Sequence, residues 1–77
     1  MIPDYTAKAL SRYTLHHLPP GDFLETLLGG DIERASHMTD LNNVLALEEI
    51  VAYIERCLPP ESFGTPEKVK NWLKSEI

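Results

Sequence analysis

The sequence predicts an all-α fold: a compact bundle of four to five helices around a long central helix. Three observations carry this expectation. Pro19-Pro20-Gly21, Gly29-Gly30 and Pro59-Pro60 interrupt the chain with residues that a helix interior rejects. Between the interruptions apolar residues recur three and four positions apart, and no segment alternates as a half-buried strand would. Several segments open on a residue suited to capping a helix N-terminus. With 77 residues there is room for one hydrophobic core, so residues 1–77 are expected to form a single domain.

The first helix is expected over Asp4–His17, with Asp4 as N-cap or first-turn acid. Ile2, Tyr5, Ala9 and Tyr13 form its apolar stripe with Leu10 beside it, and Pro19 ends the segment. A short second helix, Asp22–Leu28, presents Phe23, Leu24, Leu27 and Leu28, and Gly29 suits the left-handed residue that closes it. Asp31 caps a third, carrying Ile32 and Ala35 and fading near His37. The fourth carries the clearest periodicity. Capped by Thr39 or Asp40, it runs to Leu58 as one hydrophobic rod of Leu41, Val44, Leu45, Leu47, Ile50, Val51, Ile54 and Leu58. At 1.5 Å per residue such a rod would span roughly 27 Å, the width of the domain. The fifth begins with Thr65 as N-cap, Pro66 as first helical residue and Glu67 as first-turn acid. It buries Val69, Trp72 and Leu73 and exposes Lys68, Lys70 and Lys74.

Charge narrows the function classes. The chain carries −5 overall, but residues 18–67 hold ten acids against Arg34 and Arg56, a net −8. Such a body repels phosphate backbones, so direct nucleic-acid binding is disfavoured, whereas a basic partner would be attracted. The plainer reading is that these acids only solvate helix exteriors. A single cysteine excludes an internal disulfide and a four-cysteine zinc site. No apolar run reaches the 18 or so residues a membrane span needs, and Met1 to Leu10 lacks a signal-peptide pattern. A cytoplasmic location follows as the expectation.

Chemistry is sparsely signalled. His16, His17, His37, Asp31 and Asp40 are the candidate metal ligands, but adjacent histidines on a helix point about 100° apart and no metal-binding spacing is present. Surface histidines are the expectation, with no metal and no cofactor. Cys57 lies at a helix C-terminus, the wrong end for a nucleophilic thiolate, and reads as a small structural residue. Adjacent acids such as Glu48-Glu49 diverge and make poor acid–base pairs. No enzymatic activity is expected. The segment 59–68 is the most distinctive: a proline pair leads through Phe63-Gly64 to a helix N-terminus, where free N–H groups bind anions. Lys68 adds charge there, and Phe63 or Trp72 offers a face for stacking on a base. Ordinary capping by Thr65-Pro66, with Phe63 tucked into the core, explains the same residues. The aromatic residues read first as core, and Asn42 and Asn43 as first-turn polar groups.

The order of features resembles that of a family of small proteins of bacteriophages and prophages that has no assigned activity. Tyr13 is followed by Pro20-Gly21-Asp22-Phe23-Leu24, Leu27-Leu28, Asp31-Ile32, Ala35, Asp40 and Asn42. Leu47, Ile50-Val51 and Tyr53 come next, then the proline pair, Ser62-Phe63-Gly64-Thr65-Pro66-Glu67-Lys68-Val69 and Trp72. The resemblance covers nearly the whole chain, and its specificity lies in that order alone. The family tends to a Trp-Gly-Ser turn where this chain has Phe63-Gly64-Thr65, so an indole at position 63 is not required. The resemblance implies a phage-type, non-enzymatic binding protein that counters host defence. The leading form is nucleotide sequestration, in a pocket within one chain or between protomers of a homo-oligomer, with Asn42, Arg56, Phe63, Thr65, Lys68 and Trp72 as ligand-binding candidates. The alternative is an acidic inhibitor that covers a basic nucleic-acid-binding surface of a host defence protein through Glu48, Glu49, Glu55 and Glu61. A virion or assembly accessory is the third form.

Overall fold

The breaks divide the chain into six α-helices and one 3-10 turn in the computed structural model, which describes residues 1–75. In order these are α1 (Asp4–His16), α2 (Asp22–Leu28), α3 (Ile32–Ser36), α4 (Leu41–Leu45) and α5 (Leu47–Cys57), then the 3-10 turn (Pro60–Ser62) and α6 (Pro66–Lys74). No strand occurs among the described residues, and the fold is all-α.

Capping sets most boundaries. Asp31 accepts from the Arg34 N–H at 3.1 Å, Asp40 from Asn43 at 3.0 Å and Thr65 from Lys68 at 3.2 Å. Each such bond satisfies a backbone donor that a helix start would leave unpaired, worth about 1 kcal/mol. Pro66 occupies the first turn of α6, as expected. At α1 the N-cap is Pro3, and Asp4 serves as the first-turn acid.

The core draws Leu10 and Tyr13 from α1, Leu24, Leu27 and Leu28 from α2, Ala35 from α3, Ile50 and Ile54 from α5 and Val69 from α6, with Ala46 and Leu58. Helix α2 packs on α3 and α6, and α6 on the 3-10 turn. Phe63, Trp72 and Leu73 pack against this core half-buried.

The expected continuous rod is two helices. Ala46 takes φ −98° and ψ 8° and separates α4 from α5, although Ile50 still donates to the Ala46 carbonyl at 2.9 Å. The buried row nevertheless runs straight through the break, as Asn43, Ala46, Ile50, Ile54 and Leu58. Asn43 leads it because its carbonyl oxygen accepts from the Thr6 hydroxyl and its amide nitrogen donates to Thr39 at 2.9 Å. A polar residue thereby holds α4 against α1, and Leu41, Val44 and Leu45, expected in the core, face water. Cys57, expected as a small structural residue, is exposed as well, because Ile54 and Leu58 take the inner side of that turn. On α1 the buried face is Thr6, Leu10 and Tyr13, which leaves Tyr5 outside the expected stripe.

A second correction concerns the end of α2. Gly29 is right-handed (φ −73°), and Gly30 takes the positive φ, +96°. Gly30 lies so close to the turn after the 3-10 segment that a Cβ there would sit 2.8 Å from the Gly64 carbonyl oxygen. Gly64 in turn donates its N–H to the Leu28 carbonyl at 2.7 Å, closing the C-terminal end of α2. Two loops more than thirty residues apart are thus clasped backbone to backbone.

Gly21 provides the internal control for this clasp, since it also has positive φ (+101°) but nothing within 4 Å of an added Cβ. Gly21→Ala is expected to cost about 1–3 kcal/mol from backbone strain alone. Gly30→Ala should cost more, because the Gly64 carbonyl must also move. Urea denaturation of the two variants checks the ranking, and equal losses would show that the clasp is loose.

Candidate functional site

The ligand-binding candidates named from sequence fall in different parts of the molecule. Asn42 is exposed on α4 and lines a cleft with the start of α1. Phe63 is half-buried and lines a separate small cavity of about 150 Å³, walled by Leu27, Leu28, Ile32, Val51 and Ile54 with Glu55 at its edge. Thr65 is occupied in capping α6, and the Lys68 ammonium reaches the Pro60 carbonyl at 3.4 Å. Arg56 is exposed at the end of α5. Arg56, Thr65, Lys68 and Trp72 line none of the four clefts described.

Trp72 is engaged in holding the fold. Its indole N–H donates to the Tyr13 carbonyl at 2.8 Å. The ring stacks on His17 with centroids 4.2 Å apart, and the Trp72 carbonyl bonds the His17 Nδ1 at 2.6 Å. A carbonyl only accepts, so Nδ1 carries the hydrogen. His17 closes α1 in the left-handed region, φ 56°, where a side chain other than glycine is disfavoured. The stack and hydrogen bond offset that cost. Tyr13 is fully buried and its hydroxyl donates to the Ser62 carbonyl at 2.6 Å. Burial, with the nearby Glu25 charge, pushes its phenol up to about 12.

The largest of these four clefts, about 630 Å³, lies between α2, α3 and α6. Asp22, Glu25 and Asp31 line it with Arg34 and Lys70, over Met38, Val69 and Leu73. Three carboxylates against two cations make poor surroundings for a phosphate. Among the described residues no three His, Cys, Asp or Glu side chains are grouped to hold a metal ion, and every buried side-chain polar atom has a hydrogen-bond partner.

A different surface was not singled out by the sequence reading. Tyr5 on α1 is half in water, and its hydroxyl donates to Asp40 at 2.6 Å. That bond, with the Asn43 N–H, holds the Asp40 carboxyl below the usual carboxylate range and raises the Tyr5 phenol. Leu45, which lines a cleft with Tyr5, is 76% exposed, and Leu41, one turn earlier on α4, is 68% exposed. The signal was present as two apolar faces in the run 41–47, which a search for one stripe merges. Comparison with protein-family models, curated proteins and solved structures found no match. The resemblance to phage proteins therefore stands as an expectation.

The Tyr13 phenol sets an alkaline limit on stability. An unfolded tyrosine loses its proton near pH 10, whereas folded Tyr13 holds it to about 12. The contribution is full below pH 10 and is lost as pH rises toward 12, amounting to roughly 2–3 kcal/mol at about 1.4 kcal/mol per unit. Tyr13→Phe should cost about 1–3 kcal/mol at neutral pH by orphaning the Ser62 carbonyl. The same variant should flatten the alkaline decline, and denaturation curves across that range test both effects.

Proposed function

We propose that the chain is a non-enzymatic, phage-type binding protein that counters host defence by laying its acidic surface over a basic, nucleic-acid-binding face of a host protein. The observation that carries this reading is that the charge is left unspent inside the molecule. Among the described residues the one ion pair joins the Met1 ammonium to Glu49 at 2.8 Å, and both partners are exposed. The remaining acids of the body, Glu48, Glu55 and Glu61 among them, have no cation within ion-pair distance among the described residues. A chain of net charge −5, whose residues 18–67 alone carry −8 with so little internal pairing, accelerates capture of a basic partner and repels nucleic acid competing for it.

Sequestration of a nucleotide has less behind it. The residues considered for it do not line a common cleft among the four described, and the largest of the four carries more carboxylate than cation. That function would need a second protomer to gather the cations.

Two measurements separate these functions. Host protein retained on the immobilised chain should be released as salt rises from about 0.1 M to about 1 M, where the screening length falls from roughly 10 Å to 3 Å. Retention should drop for a triple variant Glu48→Gln, Glu55→Gln and Glu61→Gln. A panel of cyclic and ADP-ribose-type nucleotides should leave the melting temperature unchanged. A nucleotide that stabilises by about 2.7 kcal/mol at hundredfold excess over its dissociation constant would replace the proposal with sequestration.

A further inference from the structure

The most exposed large apolar side chains on any one helix of this molecule are Leu41 and Leu45, one turn apart on the outer side of α4. Leu45 shares a cleft of about 480 Å³ with Tyr5, Ile2 and Pro3 of the chain start, and buried Ala46 also lines it. The Tyr5 ring is held in place by its hydroxyl bond to Asp40, so one wall is already ordered. Leu45 beside that ring, extended by Leu41 one turn earlier on α4, offers an apolar ridge that the apolar face of a helix can cover.

Charge decides which helix. Asp4 lines the cleft, Asp40 bonds Tyr5, and Glu48 and Glu49 lie in the first turn of α5. The cations nearby are the Met1 ammonium, already paired with Glu49, and Lys8 one turn along α1 from Asp4. A second copy of this chain would bring the same carboxylates against one another across a two-fold interface, which opposes self-association. A basic partner gains both the apolar contact and the charge.

We propose that the α4 ridge, Leu41 and Leu45 with Tyr5, is the docking site for a basic amphipathic helix of a partner protein. The inference rests on the acidic binding reading above and names the contact through which it would act. The carboxylates supply attraction and rate, and the ridge supplies the fixed position that charge alone does not specify.

A designed helical peptide with leucines on one face and lysines on the other is a suitable probe, with a leucine–glutamate peptide of the same pattern as charge control. Fluorescence anisotropy should show the lysine peptide binding at least about tenfold more tightly than the glutamate peptide. The double variant Leu41→Ser, Leu45→Ser should bind the lysine peptide at least about tenfold more weakly while keeping its helical circular dichroism. Leu15→Ser, exposed near the other end of α1, should leave binding unchanged. Amide shifts on peptide addition should centre on Tyr5, Leu45 and Ala46. Salt-sensitive binding that persists in the double variant would overturn the ridge and leave the acidic reading standing. No binding of the lysine peptide would overturn the ridge as a helix groove, and the salt-release and glutamine variants would then judge the acidic reading separately. A dimer in sedimentation equilibrium that the double variant dissolves would assign the ridge to a second copy and overturn the proposal.

Discussion

Tyr13 joins parts of the chain that are far apart in sequence, and the bundle depends on that crossing. Its hydroxyl closes on the Ser62 carbonyl and its own carbonyl receives the Trp72 indole, so one residue of α1 orients both the 3-10 turn and α6. His17 completes the crossing from the end of α1 by stacking on the same indole. A chain of this size buries too little apolar surface to fix helix positions by area alone. Directional bonds in and beside the buried core specify the arrangement, and they matter there because an unmet partner is costly. The Gly30–Gly64 approach and the Gly64 bond to Leu28 serve the same end just before α6 begins.

This division of labour separates folding from recognition. Polar groups in the interior satisfy one another, and apart from Asp31 and Asp40, which cap helices, the carboxylates outside contribute little to holding the fold. The charge outside those caps is therefore free to vary with a partner without unsettling the core. Helix α4 belongs to the outer system. Its one inward side chain is Asn43, tied to Thr6 and Thr39, so the helix is attached by hydrogen bonds and keeps its leucines on the outside.

The legible parts of the sequence were those governed by neighbours a few positions away. Asp31, Asp40 and Thr65 cap helices as their side chains suggest, because a cap bond spans only three residues. The limits of α2 follow from Gly21 and the Gly29-Gly30 pair for the same local reason. Which of those two glycines turns left-handed was not legible, since the choice is made by Gly64, distant in sequence. The roles of Trp72 and Thr65 were open between ligand contact and structure. Hydrogen bonds to Tyr13 and to the Lys68 N–H occupy them.

Periodicity told which segments are helical and left open which side of each is covered. In the run 41–58 leucine, valine and isoleucine occupy more than one face, and composition ranks those faces as equals. The partner surface breaks the tie: Thr6 meets Asn43, and this contact turns Leu41 and Leu45 outward. The all-α class, the breaks and the excess of acid were thus determined by the sequence alone, because they depend on local backbone preference and on counting charge. The bend at Ala46, the crossing at Tyr13 and the exposed α4 ridge were decided only in the tertiary structure, because each depends on which distant residue lies opposite.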